Sequence, residues 1–389
     1  MKFSVLIPTR DRLELLRMAI ETVRRQDYDD WEVIVSDNQS PPEVRKYVES
    51  LEDPRIRWFG TSQVLPVTDN WNRALDRSTG DYVVMLGDDD GLLPGYFRAL
   101  AEVIDRFDEP DAIYSDALQF AYPNVLPTHP APFVQLAYSE LFQGRTRPFV
   151  SPSSDRMAAV KRTMGIRLAF SYNMQHFVLS RKLVARLSTF GPLFQSPYPD
   201  YFASNLVLLE AAELVLIPQP MVMIGISPKS FGFYYVNDRA QEGTDALGSF
   251  DRAFVPEAMR SAVLPGNPLL TGWFLAMAWL EQRVGVKHGL KVDTGRYRYL
   301  QVAWAVQRRG LRAIRSYTPF LRVGELAHFT ARLCVANLVS DSRRAEWRRR
   351  ESPWPPYHPE LLAVAARTIL DLFETTQPLA LDWGEAPTS

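Results

Sequence analysis

A single cysteine, Cys334, in 389 residues leaves no partner for an internal disulfide and no thiolate cluster for zinc or iron–sulfur chemistry. That usage suits a reducing compartment. Long apolar runs are also missing: the opening stretch from Phe3 to Ile7 is soon ended by Arg10, Asp11 and Arg12, too short for a signal core or a membrane span. Net charge is −1, without the basic excess that a general nucleic-acid binder needs. Glycine is absent from the first strand-to-helix turn, Pro8-Thr9-Arg10-Asp11-Arg12, so a G-x-G-x-x-G dinucleotide cradle is excluded. No G-x-x-x-x-G-K-[ST] run is present for a P-loop either.

What the chain does have is apolar material, 46% of residues with 12% aromatic, enough for a sizeable core and two domains. The first part alternates strand and helix signals. Phe3 to Ile7 reads as a buried strand, followed by a helix to about Gln26 with Asp11 as its N-cap and Glu14 as capping-box partner. Strands follow at Trp31 to Ser36, Ile56 to Phe59, Tyr82 to Leu86 and Ala112 to Tyr114, with helices at Glu43 to Leu51, Asn70 to Arg77 and Pro94 to Phe107 between them. This order predicts an α/β fold, a mostly parallel sheet covered by helices on both faces. The proline- and aromatic-rich stretch from Phe120 to Phe170 reads as an irregular loop on one side of a cleft.

The strand Tyr82 to Leu86 runs through Gly87 into Asp88-Asp89-Asp90. In open α/β sheets ligands bind beyond the carboxyl ends of strands, and carboxylate oxygens there suit a hard divalent cation carrying phosphates. If the backbone stays extended, Asp88 and Asp90 face one side and Asp89 the other. Asp37 ends the second strand, where its carboxylate either accepts an N–H from a flat base or closes an Asx-turn. Asn70 and Asn72 offer amide donors and Arg73 a bidentate guanidinium, although Asn70 also fits a helix cap. Asp200, in Pro199-Asp200-Tyr201 before an apolar helix, reads as either a base or an N-cap. His129 and His176 stand alone and read as loop or packed residues.

Ile7-Pro8-Thr9-Arg10-Asp11-Arg12, Val35-Ser36-Asp37-Asn38-Gln39-Ser40, Asn70-Trp71-Asn72-Arg73-Ala74-Leu75, Gly80-Asp81-Tyr82, Asp88-Asp89-Asp90 and Pro199-Asp200, in this order, resemble the family 2 glycosyltransferases with the GT-A fold. The resemblance covers about residues 1 to 235. It implies an inverting transferase that takes a sugar from a nucleotide-sugar, most simply UDP-linked, to a saccharide or lipid-linked saccharide acceptor of a surface polymer. It implies Asp90 and Asp88 as ligands of Mn2+ or Mg2+ and Asp200 as the base. Pro8, Thr9, Arg10, Asp11, Asp37, Asn38, Asn70, Asn72, Arg73, Asp88 and Asp89 form the implied donor-binding set. Many relatives add a downstream histidine ligand, but Met221 to Ser230 contains none; Lys229 either meets the diphosphate there or is a surface residue.

A boundary between Asn237 and Pro268 divides a catalytic unit, 1–240, from a mainly helical extension, 265–389, with helices near Leu269 to Val284, Tyr297 to Arg308, Leu311 to Ser316, Val323 to Leu338 and Glu360 to Phe373. Between Glu281 and Arg350, 16 Lys and Arg face 5 Asp and Glu, ending in an arginine-rich run from Arg343 to Arg350. That bias fits either a solvated face or an anionic surface: peripheral contact at the inner face of a membrane, a lipid-diphosphate acceptor or an acidic partner, a second copy included. The expected location is cytoplasmic. Two other functions share parts of this pattern. A nucleotidyltransferase would carry a glycine-rich first loop, which is missing; a non-catalytic carbohydrate-binding scaffold would have lost the carboxylates, which are present.

Overall fold

The strand β1 (Phe3–Thr9) lies parallel to β2 (Trp31–Asp37), Phe3 opposite Trp31 and Thr9 opposite Asp37, in a computed structural model describing residues 1–237, 239–247, 255, 257–338, 351–354 and 360–383. Side chains alternate across a strand. Here both faces are apolar, Phe3, Val5 and Ile7 entering one buried cluster and Leu6 another. β3 (Ile56–Gly60) continues the sheet beyond β2, while β4 (Tyr82–Met85) pairs with the other edge of β1. The chain steps outward from β1 to β3 through α1 (Leu13–Arg24) and α2 (Pro42–Ser50), then returns through α3 (Val67–Asp76) to β4. Strand order therefore reverses between β1 and β4, the crevice position where such sheets take ligands.

Beyond β4 the sheet is mixed. After β5 (Gly91–Leu92), α4 (Tyr96–Arg106) and β6 (Ala112–Ala121) come β7 (Phe133–Leu136), β8 (Phe149–Val150), α5 (Ser153–Met164) and β9 (Phe177–Ser180). β9 runs antiparallel to both β4 and β6 and joins them. The segment expected as an irregular loop thus contains two short strands and a 12-residue helix. α6 (Arg181–Leu187) and α7 (Pro199–Glu210) lead to β10 (Leu214–Ile226), parallel along β6. Helices α1, α2 and α4 cover one face of the sheet; α3, α5 and α7 cover the other.

Asp11 is not the cap of α1. Helix α1 begins at Leu13 with Arg12 at the cap position, and no side chain accepts its first N–H groups. Asp11 instead has φ 56°, in the left-handed region that Asp tolerates, and its N–H donates to Ser40 Oγ at 2.9 Å.

After α8 (Phe231–Val236) and α9 (Ala240–Leu247), α10 (Pro268–Leu280) packs onto α7. Further helices at Thr294–Arg309 and Val323–Leu338 follow, with a 3₁₀ turn, Leu311–Tyr317, between them. Trp273, Phe274, Tyr297 and Tyr299 share one buried cluster with Leu6, Met85 and Phe202. Each fully buried residue of this size contributes roughly 1.5–3 kcal/mol. The helical part is therefore joined to the sheet by a continuous core.

The expected last helix is confined to Ile369–Thr375, and the residues before it return to the sheet. β11 (Leu362–Ala363) pairs with β7, the helix Ile369–Thr375 packs against α1, and Leu379 N–H donates to Pro94 O at 2.8 Å. Arg343 to Arg350 and Asp238 lie outside the described residues, as does the side chain of Tyr235. Among the described residues no helix is long and apolar enough to cross a membrane.

Candidate active site

Past β4 the backbone turns instead of continuing extended. Asp90 N–H donates to Gly87 O at 3.2 Å, and Asp90 Oδ2 accepts from Gly87 N–H at 2.8 Å. A β-carbon on Gly87 would stand 2.4 Å from that oxygen, so glycine is what permits the turn. The alternation expected for an extended triplet is corrected accordingly: Asp88 and Asp89 share Arg12, whose Nη1 lies 2.9 Å from Asp88 Oδ1 and 3.7 Å from Asp89 Oδ1. Thr9 Oγ1, at the end of β1, donates to Asp88 Oδ2 at 2.7 Å across the strand-order switch. Asp89 Oδ2 accepts from Ser227 Oγ at 2.9 Å. Asp90 accepts from Gly225 N–H at 2.8 Å and Gln175 Nε2 at 2.6 Å. β10 approaches so closely that a β-carbon on Gly225 would meet the Asp89 carbonyl oxygen at 1.9 Å.

Three buried carboxylates crowd this corner, and two of them share one guanidinium. Arg12 is held well above its ordinary range, chiefly by Asp88. Burial raises Asp89 and Asp90, with Asp88 adding to the first and Asp89 to the second. The corner is short of positive charge. A carboxylate offers about four lone-pair positions; Asp88 uses two of its own on Thr9 and Arg12, and Asp90 uses three. Gln175 Oε1 is buried without a hydrogen-bond partner among the described residues. Among the described residues no three His, Cys, Asp or Glu side chains form a ready-made cage. Such an incomplete oxygen set fits Mg2+ or Mn2+, which bind through one or two carboxylates and complete their shell with phosphate oxygens and water.

On the nucleoside side, Asp37 accepts from Ser40 N–H, three residues on, at 2.9 Å and from Trp58 Nε1 at 3.0 Å, which leaves lone pairs on both oxygens. Asn38 is braced in both directions to the Leu65 backbone. Pro8 is half-buried and Arg10 exposed at the rim. Lys229 Nζ donates to Asp11 O at 3.2 Å, drawing the loop after β10 onto the loop after β1. The donors expected to meet ribose or phosphate from α3 are used otherwise. Asn70 Nδ2 donates to Ser36 O, Asn72 Nδ2 to Phe194 O, and Arg73 to Phe59 O and Gly60 O at 2.8 and 2.6 Å. These three fix the walls of the cleft.

Asp200 sits inside the first turn of α7, one residue past Pro199, with Tyr198 at the cap position. It is thus not the helix cap. Its Oδ1 accepts the N–H of Tyr201 at 3.0 Å, and among the described residues no cation pairs with it. Burial pushes its carboxyl up to about 7. The turn Met174–His176 packs against both α7 and β4 and sends Gln175 to Asp90. His176 stacks on Tyr114 with centroids 5.0 Å apart, Nδ1 on Ser115 O, and burial lowers it to about 4; it is a neutral packed residue. Tyr198 and Tyr201 belong to the packing beneath Asp200, with Tyr172, Phe231 and Trp273.

Gln175, Ser227 and Gly225 escaped sequence reasoning because nothing local marks them: Gln175 lies 85 positions from Asp90. Asp116, buried on β6 and raised to about 6, is another. Carboxyls whose folded pKa lies above the unfolded one stabilise the fold at acid pH and lose that contribution as pH rises through the folded value. In EDTA, the melting temperature is expected to fall between about pH 5 and 8 through Asp116 and Asp200, with Asp89 and Asp90 acting in the same direction. Mn2+ should flatten the slope; a melting curve indifferent to both pH and metal would contradict this charge balance.

Residues 4–164 match the profile described as Glycosyl transferase family 2. Over 104 residues the chain is 38% identical to a GalNAc(5)-diNAcBac-PP-undecaprenol beta-1,3-glucosyltransferase of Campylobacter jejuni, covering 26% of this chain and 34% of that protein. Over 93 residues it is 34% identical to a putative colanic acid biosynthesis glycosyl transferase of Escherichia coli, covering 23% and 33%. The chain spans about a third of the length of these curated relatives. S. aureus TarS 1-349 superposes with a TM-score of 0.45 at 15% identity, over 91% of this chain and 88% of that one. The matched stretch, residues 4–164, contains the triplet corner, and over it the chain is similar to glycosyl transferase family 2.

Proposed function

We propose that the protein is a metal-dependent, inverting glycosyltransferase that moves a sugar from a nucleotide-sugar, most simply a UDP-sugar, to a saccharide or lipid-linked saccharide. The observation that carries this reading is the meeting of Thr9, Arg12 and Asp88 at the reversal of strand order, with under-neutralised carboxylates beside it. Asp37 presents remaining lone pairs to a base edge, and Lys229, already over the Asp11 loop, reaches toward the diphosphate. Asp88 and Asp90 would hold Mn2+ or Mg2+, which supplies charge neutralisation for the departing nucleoside diphosphate. Asp200, raised to about 7, takes the proton of the acceptor hydroxyl as that oxygen attacks the anomeric carbon. One carboxylate acting on the nucleophile gives a single displacement with inversion. Cytoplasmic placement with peripheral membrane contact accords with the lipid-linked acceptor in the name of the Campylobacter relative.

A panel of UDP, GDP and dTDP, each with and without Mn2+, tests the reading. One diphosphate is expected to raise the melting temperature only with the metal, since ligand at about 100 times Kd stabilises by about 2.7 kcal/mol. The matching nucleotide-sugar should then be consumed in a mass-spectrometric donor screen. No response to any diphosphate would favour the non-catalytic scaffold.

A further inference from the structure

A second basin lies on the helical side of the molecule, between the C-terminal end of α5 and the helices Thr294–Arg309 and Val323–Leu338. Its volume is about 880 Å³. Lys161, Arg162, Arg167, Arg296 and Arg332 line it, with His328. Three carboxylates share the wall, and each has a partner. Asp293 caps the helix Thr294–Arg309 through Arg296 N–H at 2.8 Å; Glu325 is held from beneath by Arg298 at 2.7 Å; Glu351 is shared between Arg296 at 3.4 Å and Arg332 at 2.7 Å. Arg162 is paired with Glu140 from outside the wall; the remaining four cations, with Arg298 behind Glu325, still outnumber the three carboxylates of the wall.

Two of the cations, Arg296 and Arg332, are held in place. Arg296 is buried deeply enough to donate to Ile166 O, Glu351 O and Ser352 O, and the guanidinium of Arg332 lies 4.1 Å from the Tyr299 ring centroid. Burial and the nearness of Arg167 weaken the hold of Arg296 on its proton. Crowded guanidinium groups with little freedom to move apart are the arrangement that recognises phosphate oxygens.

We propose that this basin binds a diphosphate or phosphodiester group at a site separate from the donor corner. Lys161, Arg162 and Arg167 come from α5 and its exit, outside the basic 281–350 segment, so the site is assembled by the fold and not by one charged stretch. The basin lies close behind the floor of the base: Tyr172, which packs on Tyr201 at 4.4 Å, donates to Thr163 Oγ1 in the same helix as Lys161 and Arg162. As the seat for the phosphate group of an acceptor, the assignment rests on the transferase reading; as a phosphate site it does not.

Calorimetric titration of inorganic pyrophosphate into the full chain in EDTA reads the basin without donor or metal. Saturable binding is expected that weakens with added salt. The Lys161→Ala/Arg167→Ala double variant should weaken it at least about tenfold, and Lys161→Glu alone should act in the same direction. Lys229→Ala, in the donor corner, should leave it unchanged. Co-sedimentation with phosphatidate vesicles distinguishes the source: vesicle binding lost in the double variant identifies a lipid headgroup, and pyrophosphate binding without vesicle binding identifies a free or polymer phosphate. No pyrophosphate binding, or binding that the double variant retains, overturns the proposal. Donor consumption in the same preparation reports on the transferase reading independently.

Discussion

Asp200→Asn is expected to lower kcat by about 10²–10⁴-fold while leaving donor affinity within about twofold, the range in which a positioned general base contributes. Asparagine keeps the volume of the side chain and an oxygen for the Tyr201 N–H, so the start of α7 stays as it is. What is lost is a group able to take a proton near neutral pH. Burial, without a neighbouring cation among the described residues, places that group at about 7. The wild-type rate should therefore rise with pH through a limb near neutrality, and the variant should lack it. Initial rates across pH 5.5 to 9, with donor binding measured separately, decide the matter. A variant within a few-fold of the parent would remove Asp200 from the chemistry.

The second large effect belongs to Arg12. This side chain is 27% exposed, while the Asp88 carboxylate against it is 3% exposed. Removing one partner of a buried pair leaves the other charge uncompensated, at a cost of about 3–5 kcal/mol, and the partial exposure of Arg12 places Arg12→Ala near the lower end. The loss should be largest in EDTA at pH 8, where Asp89 and Asp90 are driven toward ionisation. It should shrink near pH 5, because Asp89 and Asp90 already bind protons more readily than ordinary carboxyls. Mn2+ should stabilise the variant more than the parent, since metal and guanidinium offset the same negative charge. Thermal melts of both proteins at the two pH values, with EDTA or Mn2+, give the comparison. An unchanged melting temperature for Arg12→Ala in EDTA at pH 8 would mean the carboxylates do not depend on that cation.

The frame of the site was legible because local chemistry specifies it. Short apolar strand runs, the helical segments between them and the turn-rich segment after Asp37 gave the alternating order, and the carboxylates marked the strand ends. What stayed hidden depends on contacts across long sequence separations. The direction of each aspartate in the triplet follows from the Gly87 turn and from the close approach of Gly225, and neither can be inferred from three consecutive letters. Asn70, Asn72 and Arg73 have the donors a ribose or phosphate would want, yet carbonyls that only the tertiary fold brings near receive them. The same holds for Asp11: its place before a helix suggested a cap, and the Ser40 hydroxyl and the Lys229 ammonium draw its backbone into a left-handed bend. The helix in 153–164 was obscured by the prolines around it, and the return of the last strand to β7 has no local signature.

That returning segment sets when the molecule is finished. The edge of β7 has no neighbour until residues 362–363 arrive, and Arg25, near the beginning, meets Glu374, near the end, across α1. On the ribosome, the outer edge of the sheet therefore waits until residues 362–363 have been made. The stretch bearing the family signature is woven into its own tail, and a cut placed just past it would leave an unsealed border.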